Sequence, residues 1–303
     1  MASPISLRAP ATAAEMAEAA RRAAEVFTQV EAAASRFRAS SPWMRMVHAP
    51  GVWQTVPSLL AELAAEADTW RRATGGLFDP RILPQLVRAG YTGAPLPTRL
   101  AADGPPDPWW ESEPLPQPDL CRMRLCWPAD LGGIGKGFAC DRAADAIQPL
   151  LANFALDAGG DIALRGRGTG RSGRWPTGIG DPRTTDALLA CFDAAAPCGV
   201  ATSAARRRGP DGAPGEFHLI DPRNGKPVDS DLAAVTVVSD RVVTAEVTAK
   251  TLLIAGPRAL AATEDWPHPV WWVKVDGELA GNRAARAAVQ VAAHDPHREE
   301  RAP

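Results

Sequence analysis

A glycine-rich stretch lies near the middle of the chain, between a predicted strand and a predicted helix: Asp130-Leu131-Gly132-Gly133-Ile134-Gly135-Lys136-Gly137-Phe138-Ala139-Cys140-Asp141. Residues 120–127 before it alternate as in a strand, and residues 137–151 after it have the apolar spacing of an amphipathic helix. Such a bend brings backbone N–H groups and a helix N-terminus against an anion, and Lys136 adds a full positive charge. The stretch therefore predicts an anion site, with a nucleotide as the favoured ligand.

The alternative is an ordinary tight connection between a strand and a helix. The spacing matches neither G-x-G-x-x-G nor G-x-x-x-x-G-K-[ST], so neither familiar phosphate-binding fingerprint applies to it.

Length and composition narrow the class of protein. At 303 residues with 46% apolar content, the chain can bury a full core and form one large domain or two modest ones. The net charge of -2 gives no reason to expect nucleic acid or an anionic membrane as a partner. We find no signal-peptide core in residues 1–22 and no run that could span a bilayer. We therefore expect a cytoplasmic location. The five cysteines lack a C-x-x-C pair, so we expect free thiols.

Two helices are predicted before the bend, over residues 12–37 and from Pro57 to about residue 74. The second ends at Gly75-Gly76, and Leu77-Phe78-Asp79-Pro80 continues as a compact turn. The glycine pair lets a ligand approach the backbone, and Asp79 can brace the loop. A plain helix end followed by an Asx turn is the alternative. Residues 92–118 are rich in proline and predict an irregular insertion.

After the bend, residues 154–164 predict two short strands that meet at Gly159-Gly160, with Asp157 and Asp161 on either side. Residues 235–238 and 270–275 predict further strands. Residues 244–255 predict a helix with Glu246 and Lys250 at positions i and i+4, on one face. A routine surface ion pair is the alternative for those two residues. We expect residues 282–303 to form a flexible tail.

Six motifs in this order resemble the FAD:protein FMN transferase family, also called the ApbE family. They are Gly75-Gly76-Leu77-Phe78-Asp79-Pro80, the run over residues 130–141, Ala158-Gly159-Gly160-Asp161-Ile162, Gly178-Ile179-Gly180-Asp181-Pro182, Ala201-Thr202-Ser203 and His218-Leu219-Ile220-Asp221-Pro222-Arg223-Asn224-Gly225-Lys226-Pro227. The resemblance covers residues 35–256. It implies an α+β fold with mixed β-sheets and flanking helices, as one domain over residues 1–281.

The resemblance also implies a reaction. An enzyme of this family binds FAD, breaks its pyrophosphate and transfers FMN to a Thr or Ser hydroxyl of an acceptor protein, with release of AMP. His218, Glu246 and Lys250 would be the catalytic residues, with His218 as the base. Glu246 and Gly135 would hold Mg²⁺. The nucleotide would contact a further group, namely Gly75, Gly76, Phe78, Asp79, Gly135, Lys136, Asp141, Asp157, Gly159, Gly160, Asp161, Thr202, Ser203 and Asp221.

The sequence departs from the family pattern at the metal helix. The family reads A-D-x-x-[AS]-T, where this chain has Ala245-Glu246-Val247-Thr248-Ala249-Lys250. Glu246 keeps a carboxylate, but an ammonium about 4 Å from a divalent cation would be repelled by roughly 8 kcal/mol. Lys250 can turn away and pair with Glu246, contact the pyrophosphate beside the metal, or replace the metal. We favour the last two.

Two smaller departures concern the glycine expected after Ser203, which is Ala204, and the first strand, for which residues 5–8 are the candidate. The alternatives to a transferase are a non-catalytic flavin nucleotide-binding protein and a hydrolase that converts FAD to FMN and AMP.

Overall fold

A computed structural model describes residues 4–90, 104–184, 187–208, 214–217 and 219–292. The helices are α1 (Ala13–Ala34), α2 (Pro42–His48), α3 (Leu59–Ala73), α4 (Leu83–Arg88), α5 (Gly135–Ile147), α6 (Val242–Ala255), α7 (Pro257–Ala261) and α8 (Arg283–Ala288). The strands are β1 (Ile5–Arg8), β2 (Gln54–Pro57), β3 (Trp110–Pro114), β4 (Leu120–Leu125), β5 (Phe154–Ala158), β6 (Ile162–Arg165), β7 (Trp175–Gly180), β8 (Leu188–Ala194), β9 (Cys198–Ala204), β10 (Arg206–Arg208), β11 (Pro214–Phe217), β12 (Ile220–Asp221), β13 (Lys226–Pro227), β14 (Leu232–Ser239), β15 (Val270–Lys274), β16 (Leu279–Gly281) and β17 (Val289–Ala292).

The largest sheet has seven strands in the order β1-β5-β6-β9-β14-β15-β16, and its neighbouring strands pair antiparallel. Both faces of its centre are covered. Val235 and Val237 of β14 pack in the cluster that includes Ala245 and Ala249 of α6, whereas Val238 belongs to the cluster on the other face. The alternation of side chains along β14 therefore fixes which residues meet α6.

Helix α6 is apolar on nearly every side because it lies between the sheet and α5. Two glycines permit this close packing. A Cβ added to Gly199 of β9 would lie 2.3 Å from the Val242 nitrogen, and one added to Gly137 of α5 would lie 2.7 Å from the Val243 Cα. Helix α1 covers α5 from the other side through the buried residues Ala23, Phe27 and others in the same core cluster. The result is a layered α+β fold, which confirms the predicted class and its flanking helices.

The prediction of an irregular connection over residues 92–118 was wrong for its second half. Trp109 is fully buried, donates from Nε1 to Asp68 Oδ1 at 2.9 Å and meets Trp43 edge-on at 6.4 Å between ring centroids. Strand β3 follows it and forms a three-stranded sheet in the order β2-β4-β3. Burial of the large apolar surface of Trp109 stabilises this packed arrangement despite the prolines around it. Residues 91–103 lie outside the described part of the chain.

Two other boundaries need correction. Helix α3 begins at Leu59 and not at Pro57, because Pro57 ends β2 and pairs with Leu120 of β4. The expected tail is ordered over its first half: α8 is capped by Asn282, and β17 pairs with β8. Residues 293–303 lie outside the described part, and the single-domain boundaries stay a prediction. Among the helices of the described ranges, none combines the length and apolar character needed to cross a bilayer.

Candidate functional site

The glycine-rich bend is anchored by hydrogen bonds at its first residue. Asp130 Oδ1 accepts the N–H of Gly132 at 2.9 Å, and the Asp130 N–H donates to the Pro80 carbonyl at 2.8 Å. Helix α5 begins directly afterwards at Gly135, whose own N–H donates to the Leu131 carbonyl at 2.8 Å. The order of strand β4, bend and helix agrees with the prediction. The bend therefore ends at a helix N-terminus, which favours anions.

Two side chains of α6 reach the bend. Lys250 Nζ donates to the Gly133 carbonyl at 2.7 Å and lies 3.5 Å from Glu246 Oε1. Glu246 is 3% exposed, and its Oε2 accepts the N–H of Gly137 at 2.8 Å. The two charges lie on one face of the helix, as their i, i+4 spacing predicts. They form an ion pair at the bend in which Glu246 is buried and Lys250 is 14% exposed, and not a routine surface pair.

A second ion pair joins the start of α5 to the turn between β5 and β6. Lys136 Nζ donates to Asp161 Oδ2, and Asp161 is 1% exposed. Burial and the nearby charge of Glu246 raise the pKa of Asp161 to about 6, although Lys136 pulls it down. Burial lowers the pKa of Lys136, but Asp161 and Glu246 outweigh it, and the pKa is raised. We name Lys136, Asp161, Glu246 and Lys250 the charge cluster.

The turn that delivers Asp161 depends on its two glycines. Gly159 and Gly160 have φ values of +72° and +92°, in the left-handed region that favours glycine. Asp157 Oδ1 accepts the Gly160 N–H at 2.8 Å and holds the turn closed. Asp157 thus braces the turn, and Asp161 leaves it toward α5.

Asp141 connects α5 to α6. Its two carboxylate oxygens accept the N–H groups of Val242 and Val243 at 2.9 and 3.0 Å, which caps the N-terminus of α6 from another helix. Burial raises the pKa of Asp141, against the lowering effect of these two N–H donors. Glu246 of α6 accepts from Gly137 of α5 in return. The two helices therefore cap each other, and the role that the structure gives to Asp141 is to hold them together.

The turn at residues 75–80 lies against the bend. Gly75 and Gly76 have φ values of +60° and +84°. Phe78 is buried, and its ring would lie 3.3 Å from a Cβ added to Gly133. The Asp79 carboxylate accepts from the Arg81 backbone N–H at 2.9 Å and from the Arg81 guanidinium at 2.7 Å. Phe78 therefore joins the site, while Asp79 braces the turn.

An Asp-Pro-Arg turn occurs three times, and sequence reasoning did not single out this repeat. In each turn the aspartate accepts from the backbone and the guanidinium of the arginine two residues later, in the pairs Asp79/Arg81, Asp181/Arg183 and Asp221/Arg223. Arg223 also donates to the Ile254 carbonyl at 3.1 Å, near the end of α6. The Arg223 guanidinium lowers the pKa of Asp221. Asp221 is thus part of a structural brace.

Of the other residues predicted for the site, two lie on β9 and one lies outside the described residues. Ser203 points to the α6 side of β9 with Ala201, whereas Thr202 points to the opposite face, where its hydroxyl lies 2.9 Å from that of Thr236. The structure therefore does not bring Thr202 to the charge cluster. His218 lies outside the described residues, so its role as a base stays a prediction.

Lys250 already contacts the groups that would hold a metal. The carbonyl of Gly133 accepts from the Lys250 ammonium at 2.7 Å. Both oxygens of Glu246 face positive partners, Lys250 on one side and the Gly137 N–H on the other. The described ranges contain no group of three or more His, Cys, Asp or Glu side chains that could hold a metal ion. While Lys250 occupies this place, the described residues do not fit a divalent cation.

The fold and the bend define a layered α+β protein in which two buried carboxylates, Asp161 and Glu246, pair with two partly exposed lysines at the N-terminus of α5. The ApbE family model matches residues 1–269, and the chain belongs to the ApbE family. This agrees with the resemblance found in the sequence.

The curated relatives that match this chain are named FAD:protein FMN transferase. An FAD:protein FMN transferase from Klebsiella pneumoniae (strain 342) is 27% identical over 222 residues, which are 67% of this chain and 64% of the relative. One from Treponema pallidum (strain Nichols) is 32% identical over 149 residues, 46% of this chain and 41% of that one. The chain thus spans less than two thirds of the length of these relatives.

Solved structures show the same fold. The flavin transferase ApbE from Vibrio cholerae has a TM-score of 0.71 and 21% identity, covering 95% of this chain and 96% of that one. The apo flavinyl transferase ApbE from Pseudomonas stutzeri has a TM-score of 0.72 and 19% identity, covering 94% and 97%. At these identities the likeness concerns the fold.

Proposed function

We propose that the chain is an FAD:protein FMN transferase, which moves FMN from FAD to a Thr or Ser hydroxyl of an acceptor protein and releases AMP. The observation that carries the proposal is the charge cluster at the bend, where Lys136 and Lys250 lie beside the N-terminus of α5. The names of the curated relatives support the same reaction.

The chemistry requires positive charge near the pyrophosphate. The bond that breaks joins the bridging oxygen to the phosphorus of the FMN half, and AMP leaves with that oxygen. The bond that forms joins the acceptor hydroxyl oxygen to the same phosphorus, and the hydroxyl proton passes to a base. Lys136 and Lys250 can offset the charge that develops on the phosphate oxygens, since each ammonium has three N–H donors. His218 is the proposed base.

The rest of the proposed nucleotide site follows from the positions around the bend. Phe78 is buried and packs on Gly133, so it fixes the turn over residues 75–80 against the bend. Gly75 and Gly76 in that turn leave the backbone accessible to a ligand, because no atom lies within 4 Å of a Cβ added to either of them. Mg²⁺ is not included, because the residues present do not fit it.

The test is covalent flavin transfer to whichever acceptor protein the source organism contains. The chain is incubated with FAD and a protein extract from that organism, and a denaturing gel is viewed for flavin fluorescence. The expected result is a fluorescent band absent when the chain is omitted. Mass spectrometry of that band should then show the mass of FMN on a Thr or Ser, with AMP in equal amount in solution.

Other results distinguish the alternatives. FAD that is bound but intact, with no labelled band, would favour a non-catalytic binding protein. Free FMN and AMP without a labelled band would favour hydrolysis. The cytoplasmic location stays a prediction.

A further inference from the structure

Lys250 occupies a position that is unusual for a lysine. Its side chain is 14% exposed, and its Cδ and Cε would lie 3.6 Å from a Cβ added to Gly133. Nζ donates to the Gly133 carbonyl at 2.7 Å and lies 3.5 Å from Glu246 Oε1. A backbone carbonyl and a carboxylate oxygen are the ligands that Mg²⁺ prefers. The ammonium is thus placed among oxygen atoms that suit a divalent cation.

An ammonium and a divalent cation exclude each other from this position. Both would have to lie within contact distance of the Gly133 carbonyl and Glu246 Oε1, and like charges that close repel. The other oxygen of Glu246, Oε2, already accepts from the Gly137 N–H at 2.8 Å, so Oε1 is the oxygen that faces Lys250.

We propose that Lys250 serves as a built-in cation for the pyrophosphate, so that the chain binds its nucleotide without a divalent metal ion. Two acceptors among the described residues lie near Nζ, and an ammonium has three donors, so one donor remains for a phosphate oxygen. Because the ammonium is part of the Lys250 side chain, its position at the bend does not depend on an ion from solution. This inference rests on the proposed function in one respect, namely that FAD binds at the bend.

The experiment is isothermal titration of the full chain with FAD and with ADP, in EDTA and in Mg²⁺. The unchanged protein should bind both ligands with affinities that agree within about twofold in the two conditions. Lys250→Thr should bind about tenfold more weakly in EDTA, the loss expected for one charged hydrogen bond. Mg²⁺ should restore its affinity, because the substitution frees the Gly133 carbonyl and Glu246.

Two further variants serve as controls. Lys274→Thr removes an exposed lysine that pairs with Glu278, and it should behave as the unchanged protein. Lys250→Met combined with Glu246→Gln avoids stranding a buried carboxylate. It should lose affinity in EDTA to the same extent as Lys250→Thr and should not regain it with Mg²⁺. Circular dichroism shows whether each variant is folded.

The bound ion can also be measured directly. Electron paramagnetic resonance of Mn²⁺ should show free ion with the unchanged protein and bound ion with Lys250→Thr. Binding of FAD by the unchanged protein only when Mg²⁺ is present would overturn the role of Lys250 and leave the transferase proposal standing. Absence of FAD binding in both conditions would overturn both.

Discussion

Replacing Gly137 with alanine tests the close packing of α5 on α6. A methyl group there would lie 2.7 Å from the Val243 Cα, 2.9 Å from the Val243 nitrogen and 2.9 Å from Glu246 Oε2. Two of these atoms belong to backbone, so a side-chain rotation cannot relieve the overlap. The helices must separate, and the hydrogen bond from the Gly137 N–H to Glu246 must lengthen.

The expected cost comes from two opposing effects. Overpacking of a close contact costs about 1–3 kcal/mol, and the backbone atoms place this case near the upper end. Alanine recovers up to about 1 kcal/mol of helix propensity relative to glycine. We therefore expect Gly137→Ala to lower the free energy of unfolding by about 2 kcal/mol.

The matched control is two residues earlier in the same helix. A Cβ added to Gly135 meets no atom within 4 Å, so Gly135→Ala should be neutral or stabilising by up to about 1 kcal/mol. Urea unfolding followed by the fluorescence of the ten tryptophans gives the free energy of each variant. The midpoints should differ by about 1 M urea, with Gly137→Ala the lower. Equal midpoints would refute the packing argument.

Three other predictions concern charges and thiols. The pKa of Asp161 is about 6 against an ordinary 3.8, so ionisation of this carboxyl destabilises the folded protein. As the pH rises from about 4 to 6, the free energy of unfolding of Asp161→Asn, measured with urea, should therefore increase relative to that of the unchanged protein by at most about 3 kcal/mol. A difference that does not change with pH would contradict this. Arg223→Leu should lower stability by about 1–3 kcal/mol in the same assay at pH 7, since it frees Asp221 and the Ile254 carbonyl; no change would show that the brace is dispensable. Cys191 is exposed, whereas burial raises the pKa of Cys198 to about 11 and also raises the pKa of Cys140. A thiol reagent should therefore label Cys191 first, and the fast phase of labelling should be absent in the Cys191→Ser variant.

Local periodicity was enough to predict the main elements around the site. The alternation in residues 120–127 and the helical spacing after residue 137 correspond to β4 and α5, and residues 244–255 correspond to α6. The i, i+4 spacing of Glu246 and Lys250 predicted that they share a helix face. These predictions succeed because they depend on residues a few positions apart.

Contacts between distant residues were not predictable from one sequence. Asp141 caps α6 across 101 and 102 positions, and Trp109 meets Asp68 across 41. Nothing in the local sequence shows that Asp141 faces a helix N-terminus. The prediction of an irregular loop missed strand β3, because proline content indicates local backbone preference and cannot show that residues 110–114 pair with β4. The repeated Asp-Pro-Arg turn was visible in the sequence, but its role as a brace required the arginine contacts.

The mutual capping of α5 and α6 explains how the fold accommodates a lysine at position 250. Glu246 is committed to the Gly137 N–H through Oε2, so only Oε1 faces the bend, and a buried carboxylate needs a cation there. Leaving such a carboxylate unpaired costs about 3–5 kcal/mol. A polar uncharged residue at position 250 would leave that requirement to an ion from solution, whereas Lys250 meets it within the chain. The charge of Glu246 is then balanced by a side chain of the same helix, and the folded site needs no ion from the medium for that purpose.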